Sequence, residues 1–249
     1  TWGENIVDPF VGDEDNEDAF VAKLASNGAL LWNTFMGAAV GDDCGNGIAV
    51  DTSGNVYVAG GSDYSWGSPV RPFADGDDAF VAKFNTNGAR QWHSFLGWSG
   101  YDGGFGIAVD TSGCVYVVGT SEGTWGLPIS PFADGDDAFL AKVDANGLLR
   151  WNTFLGGSDY DIGYGIALDA SGNCHMIGNS YGTWGMPLNP FTGYYDAFVA
   201  KISKGIRVDF NRDGQEDILW RYYGEGGYDR AWFLGDSGAA GLPLSLGDS

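Results

Sequence analysis

Short runs with a period of two recur along this chain. Residues 138–143 alternate in this way, which is typical of a β-strand. Asn146-Gly147 follows, a strong hairpin signal because both turn positions favour a positive φ. Residues 148–155, centred on Trp151, are the predicted return strand. The pattern therefore predicts an antiparallel hairpin.

Two further apolar runs follow this hairpin. Residues 166–168 and 174–177 flank Asp169-Ala170-Ser171-Gly172, whose residue types favour a turn. A long connection at residues 183–191 comes next, and its prolines exclude a central strand. One unit therefore predicts four short antiparallel strands, the first of them at residue 138.

The unit recurs along most of the chain. The phrase Asp-Ala-Phe-(Val/Leu)-Ala-Lys begins at Asp18, Asp78, Asp137 and Asp196, at spacings of 60, 59 and 59 residues. A period of this length without a helical pattern indicates an array of β-units. Four strands per unit, with apolar residues on both faces, predict an all-β fold. We expect a β-propeller of four-stranded antiparallel blades, with four or five blades in this chain.

Charge narrows the possible partners. The chain has 249 residues and a formal net charge of −21, which argues against nucleic acid and anionic membranes. No apolar run approaches the roughly 18 residues of a membrane-spanning helix. The chain starts at Thr1 without a signal peptide, so we expect a processed product or a segment of a longer protein.

The acidic residues are clustered at three of the repeated phrases. The clusters are Asp13-Glu14-Asp15 with Glu17-Asp18, then Asp75 with Asp77-Asp78, and then Asp134 with Asp136-Asp137. The favoured interpretation is a solvated face that keeps the protein soluble. The alternative is a set of weak divalent-cation sites.

Tryptophans recur in the long connection, within the motif Trp-Gly-x-Pro at Trp66, Trp125 and Trp184. They are expected to pin that connection against its blade. Alternatively they form a ring of exposed aromatic residues that stack on sugars.

These motifs resemble the SBBP repeat family, bacterial β-propeller repeats of secreted and surface proteins. The resemblance rests on the Asp-Ala-Phe-Val-Ala-Lys phrase, on Asn-Gly-x-x-x-Trp-x-(Thr/Ser)-Phe-(Leu/Met)-Gly, and on Gly-Ile-Ala-(Val/Leu)-Asp-x-Ser-Gly. It covers residues 18–205 and implies propeller blades but no single activity. Residues 1–17 are interpreted as an N-terminal segment, a partial blade connection.

Residues 206–249 resemble a different propeller unit, the FG-GAP or VCBS-type repeat, whose acidic loop binds calcium. Calcium takes six to eight oxygen ligands, and alternate positions of the loop D-x-N-x-D-G-x-x-D supply them. The alternative is an acidic surface turn without a metal. The predicted Ca²⁺ ligands are Asp209, Asn211, Asp213, the backbone carbonyl of Gln215, and Asp217.

We expect a non-enzymatic interaction or structural module, secreted or on the cell surface, that is stabilised by calcium and acts in adhesion. The expected partner is a protein or glycan at the cell surface, with self-association into an oligomer or fibre as a further possibility. A carbohydrate-binding propeller is the first alternative. An enzyme that uses acidic clusters at the propeller mouth is the second.

The blades at the two ends of the array need partners for their open strand edges. We expect residues 6–11 to add a strand to the last blade, or a neighbouring chain to cover the edge.

Overall fold

The computed structural model describes residues 6–11, 16–203, 230–231 and 244–245. The chain divides into two units, Thr1–Ile202 and Ser203–Ser249. The described residues contain strands, turns and bends but no helix, so the all-β prediction is confirmed. Over these same residues, no helix long and apolar enough to cross a membrane is present.

Strands of the first unit form four antiparallel sheets, in the orders β1-β2, β3-β4-β5-β6, β7-β8-β9-β10 and β11-β12-β13. A two-stranded pair, β14 with β15, lies in the second unit. The strands are β1 (Ala19–Leu24), β2 (Leu30–Met36), β3 (Asp43–Val50), β4 (Val56–Ser62), β5 (Asp78–Phe84), β6 (Arg90–Leu96), β7 (Asp102–Val109), β8 (Val115–Ser121), β9 (Asp137–Val143), β10 (Leu149–Leu155), β11 (Asp161–Leu168), β12 (Cys174–Ser180), β13 (Asp196–Ile202), β14 (Arg230–Ala231) and β15 (Leu244–Ser245).

The predicted hairpin is present, although its loop is longer than a two-residue turn. The Asp144 N–H donates to the carbonyl of Leu148 at 2.9 Å, and the register of β9 and β10 shifts between Leu149 and Trp151. Gly147 has a φ of 89° at this bulge. A glycine adopts this conformation without the steric cost that a Cβ would bring.

Each blade begins at a different strand from the one predicted. The Asp-Ala-Phe strand, expected first, is the third strand of its sheet, as β9 is in β7-β8-β9-β10. The long Trp-Gly-x-Pro connection therefore runs within a blade, between the second and third strands. The short loop after β10 leads into the next blade. A repeated sequence has no intrinsic starting point, so the period alone did not define the boundary.

The first strands of successive blades, β3, β7 and β11, lie next to one another. A Cβ at Gly47 would lie 2.7 Å from the carbonyl oxygen of Phe105 in the next blade. Glycine therefore permits the backbones to approach this closely. The apolar core fills the space between blades, where Val81 and Val117 belong to one buried cluster.

The N-terminal segment pairs with the first sheet. The Val7 N–H donates to the carbonyl of Asn33, and the Phe35 N–H donates to the carbonyl of Asp8. The prediction that residues 6–11 extend the last blade is therefore wrong. Val7-Asp8-Pro9-Phe10 matches the connection Val70-Arg71-Pro72-Phe73, which binds its own outer strand β6 in the same way.

Candidate functional site: buried aspartate pairs and an acidic rim

The predicted calcium loop lies outside the described residues, and its five ligands are Asp209, Asn211, Asp213, Gln215 and Asp217. Within the part of the chain that the structure describes, no group of three or more His, Cys, Asp or Glu side chains is arranged to hold a metal. Six of the described carboxylates instead come together in three pairs.

The acidic clusters are divided between surface and interior. Asp75 and Asp134 are exposed, as expected of a solvated face. Asp78 and Asp137 are fully buried, so the favoured interpretation is wrong for them. Each is the first residue of a third strand, and its Oδ2 accepts a hydrogen bond from the N–H four residues earlier, at 2.7 Å for Asp78 and 2.6 Å for Asp137.

Each buried aspartate faces a second one from the next blade. Asp78 and Asp102 converge on Gly97, where a Cβ would lie 2.2 Å from Asp78 Oδ1 and 2.8 Å from Asp102 Oδ2. The second aspartate is always the first residue of an innermost strand. The same arrangement recurs with Asp18 and Asp43 at Gly37, and with Asp137 and Asp161 at Gly156.

In each pair, only some of the carboxylate oxygens accept a hydrogen bond. Asp102 accepts from the Trp98 N–H at 2.8 Å and from the hydroxyl of Ser121. Oδ1 of Asp78 and Oδ1 of Asp137 have no hydrogen-bond partner in the described residues. A buried carboxylate oxygen without a donor carries a desolvation cost of roughly 1–3 kcal/mol or more. A proton or a cation at each pair would offset that cost.

Burial makes these carboxyl groups weaker acids than an ordinary aspartate side chain. Desolvation raises the pKa of Asp78 to about 7, and repulsion from Asp102 adds to the effect. Desolvation likewise raises the pKa of Asp43, Asp102 and Asp137 to about 6. A perturbed carboxyl can mark a catalytic site, but only where substrate can reach it. These groups are sealed between blades.

The recurring tryptophans pin their connections. The indole N–H groups of Trp66, Trp125 and Trp184 donate to the last serine of the second strand, at 3.2, 3.1 and 3.1 Å. Trp66 and Trp125 are buried. They therefore cannot belong to the exposed aromatic ring that was the alternative interpretation.

The two histidines have structural contacts. His93 is buried and stacked on Trp66, with ring centroids 4.0 Å apart, and its Nε2 lies 2.8 Å from the carbonyl oxygen of Trp66. Burial lowers the pKa of His93 to about 4. The Nε2 of His175 lies 3.3 Å from Oδ2 of Asp169, at the blade end opposite to the aspartate pairs.

Aromatic and acidic residues together line the blade ends where the innermost strands begin. The Tyr101 N–H donates to Glu122 Oε2 at 3.1 Å, and a Cβ on Gly123 would meet the ring of Trp98 at 2.5 Å. We call this surface the acidic rim. Sequence reasoning missed it, although a Tyr-Asp dipeptide marks the start of both β7 and β11. Its exposed aromatic residues are Tyr64, Trp98, Tyr101 and Tyr160, and its acids are Asp63, Asp77, Glu122 and Asp136.

Residues 37–63 match the family model of the SBBP β-propeller repeat. The match spans the loop after β2 together with strands β3 and β4. A search of curated proteins found no matching relative. The blades and this match together define an all-β protein with the β-propeller fold.

Proposed function

We propose that this protein is a non-enzymatic interaction module of the cell surface or extracellular space, and that it binds a cationic partner through the acidic rim. The proposal rests on one observation, that the carboxylates fall into a buried group and a solvent-exposed group. The acids with strongly raised pKa are sealed between blades, whereas the rim presents acids such as Glu122 to solvent.

A basic protein segment is the partner that fits this surface best. The formal net charge of −21 attracts cations from a distance. Exposed Tyr101 and Trp98 offer aromatic faces on which arginine and lysine bind through cation–π contacts. Self-association of two equally charged chains is less favourable without calcium or salt to screen the repulsion.

A rim variant with a matched control tests this proposal. The probe is an immobilised peptide rich in Lys and Arg. Glu122→Gln should weaken binding several-fold, mainly through the association rate. Asp144→Asn removes the same charge at the opposite blade end, and should have little effect. Asn85 closes the equivalent turn of the preceding blade, so this control is structurally compatible. Equal losses in both variants would show that only net charge matters.

Glycan binding is the second candidate, because exposed Tyr and Trp beside carboxylates can also stack on sugars. Neutral oligosaccharides would then bind in high salt, and Tyr101→Ala would abolish that binding. Salt-sensitive binding of the basic peptide alone would favour the protein partner. Turnover of chromogenic glycosides that depends on Asp77 or Glu122 would contradict the non-enzymatic role.

We also propose that calcium bound by the loop of Asp209, Asn211, Asp213, Gln215 and Asp217 stabilises the protein. The support is the oxygen-only ligand pattern. A hundredfold excess of calcium over its dissociation constant should add roughly 2.7 kcal/mol. Chelation should therefore lower the melting temperature, and Asp213→Ala should remove the part of that response that this loop contributes. A wild type indifferent to chelator would refute the calcium loop.

A further inference from the structure

Three successive connections carry residues of different charge at the same position, namely Asp8, Arg71 and Ser130. The carbonyl groups of Asp8, Arg71 and Ser130 accept the N–H of Phe35, Phe95 and Phe154, at 3.0, 3.1 and 3.1 Å. The three positions are therefore structurally equivalent. The seven residues that follow Arg71 and Ser130 are identical, Pro-Phe-Ala-Asp-Gly-Asp-Asp.

Arg71 supplies a positive charge to the pair at Gly97. Its guanidinium donates to the carbonyl oxygens of Phe95 at 2.6 Å and Gly97 at 3.1 Å. Its charge lowers the pKa of Asp78 and Asp102, against the larger effect of their burial. This junction therefore carries a built-in cation.

The next junction has the same carboxylates without that arginine. Asp137 and Asp161 are both fully buried, and Ser130 occupies the equivalent position. Oδ1 of Asp137 has no hydrogen-bond partner among the described residues, and it is directed at the space beside Gly156 that Asp161 Oδ2 also faces. The neighbouring charges that act on Asp137 are those of Asp134, Asp136 and Asp161, all negative.

We propose that a hard cation of the calcium class binds between Asp137 and Asp161, beside Gly156. A Cβ at Gly156 would lie 2.1 Å from Asp137 Oδ1 and 2.7 Å from Asp161 Oδ2. The two carboxylate oxygens are therefore near enough to each other for a single Ca²⁺ to bind both, because its bonds to oxygen are about 2.3–2.6 Å long.

The donor chemistry agrees with this choice of ion. Both side-chain ligands are carboxylate oxygens, and the Gly156 carbonyl corresponds to the Gly97 carbonyl that binds the guanidinium of Arg71. Oxygen-only sites select hard cations over zinc or copper. The ion would supply the positive charge that Arg71 supplies at the preceding junction. This site is independent of the loop at residues 209–217.

Terbium, a luminescent analogue of calcium, tests the proposal in the 249-residue chain. All variants carry Asp213→Ala, so that a failure of the proposed calcium loop does not affect the result. Trp184 lies next to this junction, because its indole N–H donates to Ser180 Oγ and also acts on the carboxylate of Asp161. Its indole can therefore sensitise the luminescence of bound Tb³⁺. The bound equivalents are counted by equilibrium dialysis, with near-ultraviolet circular dichroism as the check of folding.

Ser130→Arg is the decisive variant, because it keeps both carboxylates and introduces the arginine of the sister junction. It should lose one equivalent of Tb³⁺, and Ca²⁺ should compete for that equivalent in the parent. Leu127→Arg is the matched control, since it adds the same charge to an exposed position of the same connection and should keep the ion. Arg71→Ser should gain one equivalent at the Asp78–Asp102 pair.

Asp161→Asn should lose the same equivalent as Ser130→Arg, and Ser130→Arg decides the test if the asparagine variant does not fold. Identical Tb³⁺ binding by the parent, Ser130→Arg and Leu127→Arg would overturn the proposal. The absence of bound Tb³⁺ in the parent would also overturn it. The pair would then be held by a shared proton.

Discussion

The buried pair of Asp78 and Asp102 makes a specific prediction about stability and pH. Asp78 keeps its proton in the folded protein up to a pKa of about 7, against 3.8 for the ordinary side chain. The folded state therefore binds more protons than the unfolded state between these two values. Stability from this group is fully present below pH 3.8 and is lost as the pH rises through 7.

The magnitude follows from the two pKa values. Each pKa unit corresponds to 1.36 kcal/mol, so ionisation of Asp78 removes roughly 4 kcal/mol between pH 4 and pH 8 as an upper limit. Asp78→Asn cannot ionise. Its amide can still accept the Ala74 N–H and can donate towards Asp102. The variant should therefore lose less stability than the wild type as the pH rises, and should be the more stable protein at pH 8.

Urea unfolding from pH 4 to pH 9, with a chelator present, measures this difference. The quantity of interest is the free energy of unfolding of Asp78→Asn minus that of the wild type at each pH. Asp75→Asn is the control, because Asp75 is exposed three residues earlier in the same cluster. Parallel profiles for the wild type and Asp78→Asn across this range would refute the assignment of a protonated buried carboxyl.

Two further predictions concern the geometry of the same junctions. Gly97→Ala should destabilise the fold by about 2–4 kcal/mol in thermal or urea unfolding, because its Cβ would lie 2.2 Å from Asp78 Oδ1. Gly61→Ala should cost far less, since its Cβ would meet no atom of the described structure within 4 Å, and equal costs would contradict the steric argument. Ser121→Ala should cost about 1–3 kcal/mol by the same measurement, because Asp102 and the Trp125 indole both lose a partner. A neutral result there would show that neither bond contributes.

The strands and the fold class were predictable because they depend on local pattern. Alternation in residues 138–143 and the period of about 60 residues are visible in a single sequence, and β9 has nearly the predicted bounds. The assignment of strands to blades was not visible. It depends on β8 pairing with β9 across a long connection, and no local signal distinguishes that pairing from the alternative.

The aspartate pairs were beyond sequence reasoning for a different reason. Asp78 and Asp102 are separated by strand β6 and belong to different blades, so their contact exists only after the blades pack. Because charged clusters are usually solvated, the sequence favoured an exposed position for Asp78. The pairing of Val7-Asp8 with β2 did have a signal, namely its match to Val70-Arg71, and that signal was missed.

Each junction combines an aspartate of one blade with an aspartate of the following blade. This arrangement affects how the number of blades in such an array can change. Excision of residues 98–156 would join Gly97 directly to Gly157 and would bring Asp161 opposite Asp78. The new junction would contain the same two carboxylates and the same glycine as the two it replaces. A duplication of the same stretch would likewise reproduce the two carboxylates and the glycine. Gain or loss of one repeat at this position would therefore keep the aspartate pair and its glycine at the new junction.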